Sequence, residues 1–109
     1  MADLQWNKEF ALEQTGGDEE LLEELLTLFR DSSASDLKQL QNAVDGNDTA
    51  GVVSAAHSIK GASASLGIEA IRHLAMVIEA DGRKDSLAAA QQNLAALEEL
   101  LEQVNTLQG

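Results

Sequence analysis

The chain contains no cysteine and no proline, and only 3% of its 109 residues are aromatic. Without cysteine, neither a disulfide nor a thiolate metal site can form. Because strand formers are scarce while helix formers such as leucine and alanine are abundant, the composition favours an all-helical protein. A chain of this length suits one small domain, and we predict a single domain over residues 1–109.

Long apolar runs are also missing from the sequence. No stretch approaches the ~18 apolar residues in a row that a membrane-spanning helix needs. The chain also shows no signal-peptide pattern. We therefore expect a cytoplasmic domain that makes no contact with a membrane.

Positive charge is scarce, since 7 Lys and Arg stand against 19 Asp and Glu and give a formal net charge of -12. Nucleic acid is not an expected partner, because binding it requires a basic face. The acidic cluster in residues 18–24 opens a predicted helix, where carboxylates interact favourably with the helix dipole and face water. We accordingly predict no metal site, and an acidic metal-buffering bundle is a distant alternative.

Apolar residues recur with helical periodicity in five segments that turn-forming residues separate. The predicted helices span residues 4–12, 18–45, 48–65, 68–82 and 85–107. Asp18 is the expected N-cap of the second helix, and Asn47 or Asp48 that of the third. Because the connections are short, consecutive helices should be antiparallel. The sequence therefore predicts an all-α fold, an antiparallel up-down four-helix bundle with a short extra N-terminal helix lying across it.

The third predicted helix contains the strongest candidate for a functional residue. Its core seam, with spacings of three and four residues, consists of Val52, Ala56, Ile59, Ser63 and Leu66. His57 lies on the neighbouring row of the helix. The periodicity therefore directs its imidazole toward the edge or the outside of the bundle.

Lys60 and Gly61 follow His57 by three and four residues, which places all three on one helix face. A glycine inside a helix costs about 1 kcal/mol relative to alanine, so Gly61 indicates that a side chain there would obstruct an approaching molecule. Lys60 supplies a cation that suits phosphate oxygens. Together the three residues fit a nucleophilic imidazole that accepts a phosphoryl group while it is docked against another protein.

The fourth predicted helix contributes two more candidates. If the preceding turn is centred on Gly67, antiparallel packing places His57 opposite residues 77–79, where Glu79 is the polar candidate. A carboxylate at Nδ1 would fix the tautomer of the imidazole and leave Nε2 free to attack. Arg83, one turn further on, would add positive charge, and Ser63 is a candidate for a phosphate or partner contact.

Each of these residues also has an ordinary structural interpretation. A lone helical histidine is more often a surface or core residue than a nucleophile, and His73, which lacks a Lys-Gly context, is interpreted in that way. Gly61 would equally suit close helix packing, and Glu79 with Arg83 an exposed i, i+4 pair. No aspartate completes a triad with the nearby serines, so serine hydrolase chemistry has little support. From composition and spacing alone, both interpretations of His57 stay open.

The string His57-Ser58-Ile59-Lys60-Gly61-Ala62-Ser63, followed by Leu66-Gly67, resembles the signature of the histidine-containing phosphotransfer (HPt) domain family. The stretch from Gly16 to Leu22 and Phe29 are similar to the family's entry into its first long helix, so the resemblance covers nearly the whole chain. It implies a four-helix bundle whose exposed histidine is phosphorylated on Nε2. It also implies a phosphoryl carrier rather than an enzyme.

The resemblance further implies roles and partners. Lys60 would steady the phosphoryl group, Gly61 would allow close approach and Glu79 would orient the imidazole. The implied partners are a response-regulator receiver domain, a sensor histidine kinase or both. The domain would need no cofactor of its own, because the receiver would bring Mg²⁺. The implied docking residues are Phe10, Leu12, Leu22, Leu25, Val53 and Ala64.

Three functions remain open at the level of the sequence. The first is a relay that moves phosphoryl groups between receiver aspartates. The second is the accepting module of a chemotaxis-type histidine kinase, phosphorylated from ATP, because Glu at position 79 resembles those modules while Gln is familiar in relay domains. The third is a non-catalytic helical adaptor in which His57 is dispensable. We expect a monomer, since the leucine-rich seam of the last helix is needed inside one bundle.

Overall fold

The computed structural model describes residues 3–107, which form five α-helices and no β-strand beyond one isolated bridge. The helices are α1 (Lys8–Gln14), α2 (Glu19–Asp45), α3 (Thr49–Ser65), α4 (Glu69–Gly82) and α5 (Ala88–Val104). The predicted all-α class is confirmed. The predicted single domain of residues 1–109 extends at both ends beyond the described residues.

The helices α2 to α5 form a four-helix bundle in which each packs against two others. Helix α3 packs against α2 and α4, and α5 packs against α4 and α2. At about 1.5 Å per residue, the 27 residues of α2 span roughly 40 Å and account for the 42 Å length of the molecule. The residues at the centre of the core include Leu22, Leu26, Leu40, Ile59, Ile71, Ile78 and Leu97.

Side-chain caps fix where the two long central helices begin. Asp18 Oδ1 accepts a hydrogen bond from the backbone N–H of Leu21 at 3.1 Å, and Asp48 Oδ1 accepts one from that of Gly51 at 3.0 Å. These bonds satisfy N–H groups that lack a partner within the first helical turn. Of the two candidates predicted for the start of α3, the structure selects Asp48.

The turn between α3 and α4 requires a glycine. Gly67 has φ +68°, and a Cβ at this position would lie 2.8 Å from the backbone oxygen of Asn7. The N-terminal segment therefore passes directly against this turn. The turn therefore lies where the sequence predicted it, centred on Gly67. The register of α3 against α4 was counted from this position.

The predicted first helix over residues 4–12 is wrong in its boundaries. Residues 3–7 are not helical, Trp6 forms an isolated antiparallel bridge with Ile68, and the helix begins only at Lys8. Two features impose this start: Asn7 Oδ1 caps the helix at the N–H of Phe10, and the indole N–H of Trp6 donates to the carbonyl of Leu66 at 2.9 Å. The apolar residues near the N-terminus thus pack from an irregular segment as well as from a helix.

The last helix also differs from its predicted span of 85–107. It covers Ala88–Val104, because Asp85 has φ +59° and belongs to the preceding turn. The carboxylate of Asp81, at the end of α4, accepts a hydrogen bond from the backbone N–H of Ala89 at 2.9 Å. That hydrogen bond is the main reason why the pKa of Asp81 lies below its ordinary value.

Candidate functional site

His57 lies on the outside of α3, as its position in the helical pattern predicts. Its side chain is 63% exposed, whereas the seam residues Val52, Ala56 and Ile59 are at most 1% exposed. The imidazole therefore faces solvent from a helix that the core holds on its opposite side. This arrangement gives another macromolecule direct access to the ring.

Glu79 lies opposite His57 on α4 and is buried, with only 5% of its side chain exposed. Nδ1 of His57 and Oε2 of Glu79 are 2.9 Å apart. Because an ionised carboxylate only accepts hydrogen bonds, Nδ1 must carry a proton and donate a hydrogen bond to Glu79. The ring is thereby held in the tautomer whose Nε2 carries a free lone pair and points away from the carboxylate.

Two cations accompany the same carboxylate. Lys60 Nζ lies 2.6 Å from Oε1 of Glu79, and Arg83 Nη2 donates to Oε2 at 2.6 Å. These contacts lower the pKa of Glu79 to about 2, with the hydrogen bond from Lys60 as the largest cause and those from Arg83 and His57 adding to it, against the opposing effect of burial. Glu79 is therefore ionised at neutral pH.

The cluster carries more positive than negative charge. Lys60 and Arg83 contribute two positive charges and Glu79 one negative charge, and the arginine side chain is 61% exposed. This surplus stands out in a chain whose formal net charge is -12. An incoming phosphoryl group, which is an anion, would meet a favourable local field beside His57.

Gly61 is not required by packing within the chain. A Cβ at this position would meet no atom within 4 Å outside its own helix, and the residue is exposed. The alternative that Gly61 serves close helix packing is therefore wrong. The missing side chain leaves the surface beside His57 open.

Two predicted site residues belong to the core instead. Ser63 is fully buried, and its Oγ donates to the carbonyl of Ile59 at 2.7 Å, so it cannot reach a phosphoryl group beside His57. Leu22 is likewise fully buried in the core and cannot serve as a docking residue. Both lie on the buried stripe of their helix, which leaves no surface for a partner.

The remaining docking candidates are partly buried and are spread over several elements of the bundle. Val53, one turn before His57, lines a shallow pocket together with Gly82 and Arg83. Phe10 packs against the turn at Gly67, ten residues beyond His57 and so about 15 Å further along the helix direction. Leu12 packs on the core from α1, and Ala64 lies seven residues after His57 on the same side of α3.

An apolar groove runs between α2 and α3 and was not predicted. Its volume is 380 Å³, and its lining residues are Gln14, Leu25, Leu28, Phe29, Ser32, Ala62, Ser65 and Leu66. Leu28 is 63% exposed at its edge, and Ala62 directly follows Gly61. The sequence contains one signal for it: α2 has more leucines than its buried stripe can hold, so some of them must face outward.

The described part of the chain offers neither a cluster of metal ligands nor a membrane-spanning helix. No group of three or more His, Asp or Glu residues within residues 3–107 is arranged to hold a metal ion. No helix in that range is both long enough and apolar enough to cross a membrane. His73 is exposed on α4, and its sequence neighbour Arg72 pairs with Glu69.

Comparison with known proteins agrees with the arrangement of the helices. Residues 24–107 match the sequence model of the Hpt domain family. The chain belongs to this family. The resemblance inferred from the string around His57 is thus confirmed.

Two relatives illustrate the family. The phosphorelay intermediate protein rdeA of Dictyostelium discoideum is 30% identical over 99 residues, which cover 91% of this chain but only 39% of rdeA. The crystal structure of the HPT domain from the Hpt sensor hybrid histidine kinase from Shewanella superposes with a TM-score of 0.77 at 26% identity. That comparison covers 94% of this chain and 93% of the Shewanella domain. The match confirms the predicted helical bundle.

Proposed function

We propose that His57 carries the phosphoryl group and exchanges it with the aspartate of a response-regulator receiver domain. The observation that supports this best is the pairing of an exposed imidazole with a buried carboxylate, 2.9 Å from Nδ1 of His57 to Oε2 of Glu79. A nucleophilic Nε2 requires the opposite ring nitrogen to keep its proton.

In the proposed step, the lone pair of Nε2 attacks the phosphorus of an aspartyl phosphate. A nitrogen–phosphorus bond forms while the phosphorus–oxygen bond to the aspartate breaks, and the aspartate leaves as a carboxylate. The imidazole ring becomes positively charged, because it keeps its proton on Nδ1. Glu79, which lies 2.9 Å from Nδ1, offsets this charge. The reverse step passes the phosphoryl group to the next aspartate.

The neighbours of His57 have complementary roles in this proposal. Lys60 and Arg83 both contact Glu79 and extend toward solvent, so their cationic groups can also meet the phosphoryl oxygens. Gly61 leaves room for the partner's surface. Mg²⁺ bound by the receiver would neutralise further charge on the phosphoryl group. This chain supplies the nucleophile and its orientation.

The docking surface that we propose for the receiver extends from His57 over Gly61 into the apolar groove between α2 and α3. Leu25 and Leu28 line this groove, and the exposed edge at Leu28 offers apolar area that a partner would bury. The proposal also includes a cytoplasmic location. It includes a monomeric state, since the α5 seam residues Leu97 and Val104 are fully buried within the bundle.

The proposal can be tested by incubating the protein with a panel of receiver domains that carry radiolabelled aspartyl phosphate and Mg²⁺. The label should move to the parent protein and not to His57→Gln. His73→Gln is the matched control, because His73 is the other histidine of the chain and is also exposed. Label that persists on His57→Gln, or that is lost from His73→Gln instead, would contradict the assignment of His57.

A second candidate function rests on Glu79. The glutamate resembles that of modules phosphorylated directly from ATP by a chemotaxis-type kinase domain. Label from ATP and such a kinase domain, with no transfer from any receiver, would favour this function. A protein that accepts label from neither source, but whose binding to a partner survives His57→Ala, would instead be a helical adaptor.

A further inference from the structure

We infer that Gly82 is a positioning residue for the pair formed by His57 and Glu79. Because Gly82 has no side chain, α4 can approach α3 closely enough to bring Glu79 within hydrogen-bond distance of His57. Gly82 is buried and is the last residue of α4. It follows Glu79 by three residues and so lies one turn away on the same helix. The inference rests on the proposed function only where its test measures phosphotransfer.

The usual reason for a glycine at the end of a helix does not apply to Gly82. Such glycines commonly adopt a left-handed backbone conformation, which other residues avoid. The glycines with positive φ in the described chain are Gly16, Gly17 and Gly67. Gly82 keeps an ordinary backbone conformation, so the reason for the glycine must be space rather than backbone freedom.

The space around Gly82 is too small for a methyl group. A Cβ there would lie 2.9 Å from Cγ2 of Val53 and 3.4 Å from Cγ1 of Val52, both on α3. Valine inside a helix has one strongly preferred rotamer, so Val53 cannot easily turn away. Relief of the contact therefore requires α3 and α4 to separate.

Because of the register of the two helices, this separation also affects the contact between His57 and Glu79. Val53 precedes His57 by one turn on α3, and Gly82 follows Glu79 by one turn on antiparallel α4. The contact between Gly82 and Val53 is therefore the next layer of the interface beside the contact between Glu79 and His57. A separation of about half an ångström or more would stretch the hydrogen bond, now 2.9 Å, toward the limit at which it ceases to hold.

The test compares Gly82→Ala with the parent protein by nitrogen NMR of the His57 ring. In the parent we expect the tautomer with the proton on Nδ1. In Gly82→Ala we expect a mixture of both tautomers, together with a roughly 10- to 100-fold slower phosphotransfer, as small misplacements of reacting groups commonly produce. An unchanged tautomer in a folded Gly82→Ala protein would overturn the inference.

A second variant separates positioning from general loss of stability. Val53→Ala removes the methyl group that a Cβ at position 82 would meet. In the Val53→Ala background, the added Gly82→Ala change should therefore have little further effect on the tautomer or on transfer, each compared with Val53→Ala alone. An equally large effect in both backgrounds would contradict a role that depends on this contact.

Val104→Ala serves as a control for destabilisation at a distance. Val104 is fully buried near the end of α5, so its truncation lowers the melting temperature without touching the interface of α3 and α4 beside the site. We expect an unchanged His57 tautomer; a shift as large as that in Gly82→Ala would overturn the inference. The tautomer is measured on the protein alone, without a receiver. A parent protein that accepts no phosphoryl group would therefore refute the proposed function, while the role of Gly82 could still be tested.

Discussion

Glu79 places an ionised carboxylate where water hardly reaches it. A buried charge costs several kcal/mol unless partners offset the loss of hydration. Here three partners do so, since Lys60, Arg83 and His57 all contact its two oxygens. The imidazole that Glu79 orients is thus one of the three groups that make the burial of Glu79 tolerable. Function and local stability are coupled at this one side chain.

This coupling predicts a specific dependence of stability on pH. The pKa of Glu79 is lowered in the folded state from its ordinary value of 4.5 to about 2. The folded state therefore binds this proton more weakly than the unfolded chain. The resulting stabilisation is fully present above about pH 4.5 and is lost as the pH falls through about 2. At about 1.4 kcal/mol per pKa unit, it amounts to at most ~3.5 kcal/mol.

The measurement is the free energy of unfolding of the parent minus that of Glu79→Gln, followed from neutral pH into this acidic range. The difference should stay constant down to about pH 4.5 and then shrink as Glu79 becomes protonated. Glu69→Gln is the control, since Glu69 forms only a partly exposed pair with Arg72 and should show a far smaller change. A difference that does not change with pH would show that folding does not lower the pKa of Glu79.

Gly61 predicts effects of opposite sign on stability and on transfer. An added Cβ meets nothing within 4 Å, and alanine is favoured over glycine inside a helix by about 0.5–1 kcal/mol. Gly61→Ala should therefore unfold at a higher urea concentration than the parent. Its phosphotransfer with a receiver should be slower, because the methyl group stands on the surface that the partner approaches. A variant that is more stable and transfers at the parental rate would remove Gly61 from the docking surface.

At the scale of the elements, α5 depends on other helices at both of its ends. Its first turn is capped by Asp81 of α4, whose side chain accepts from the N–H of Ala89. Its last turn is capped by Arg30 of α2, whose Nε donates to the carbonyl of Val104 at 3.1 Å and whose Nη2 donates to that of Leu107. A cation at a helix C-terminus also interacts favourably with the helix dipole.

The loss of the Arg30 cap should therefore be measurable. Arg30→Met keeps much of the aliphatic side chain but removes the hydrogen bonds to Val104 at the end of α5 and to Leu107 beyond it, and we expect a loss of about 1.5–3 kcal/mol in the free energy of unfolding. Urea denaturation followed by circular dichroism measures this loss. The control is Arg72→Met, since Arg72 pairs only with Glu69 on the surface of α4 and should cost less than about 1 kcal/mol. Equal losses in both variants would mean that Arg30 does not hold the end of α5.

The elements also show which features could be predicted from the sequence. The position of Glu79 opposite His57 followed from counting residues back from the turn at Gly67, because both partners lie on regular antiparallel helices. The irregular N-terminal segment before Lys8 could not be predicted in that way. Its conformation depends on Trp6 donating to Leu66, 60 residues away in the chain, and no local pattern encodes such a contact.

The same distinction explains the wrongly predicted site residues. Ser63 has a hydroxyl near the histidine motif, but its place on the core seam, already visible in the spacing, was the better guide to its environment. The apolar pattern of α2 does not distinguish Leu28 from its buried neighbours, and only the packing of α3 against α2 shows that it stays exposed. Periodicity assigns residues to a helix face. The neighbouring helices decide how wide the buried part of that face is.

At the scale of the whole molecule, charge is distributed unevenly. The chain carries 19 acidic against 7 basic residues, yet Lys60 and Arg83 surround the single carboxylate beside His57. The acidic surface repels itself in the compact state, which a high net charge destabilises. The site keeps a local positive surplus within that field, so an anionic phosphoryl group is favoured there more than elsewhere on the molecule.

Self-repulsion predicts that salt stabilises the folded protein at neutral pH. Ions at ~0.1 M screen exposed charges beyond about 10 Å, a separation typical of carboxylates spread over a surface. The formal net charge of -12 should therefore make the melting temperature rise as NaCl increases from about 0.02 to 0.3 M. The same titration near pH 4.2, the isoelectric point, is the internal control, because the net charge is then close to zero and the rise should vanish. An equal rise of the melting temperature at both pH values would show that salt acts through something other than the repulsion of carboxylates. A fall of the melting temperature at neutral pH would mean that attractive ion pairs such as those of Glu79 outweigh that repulsion.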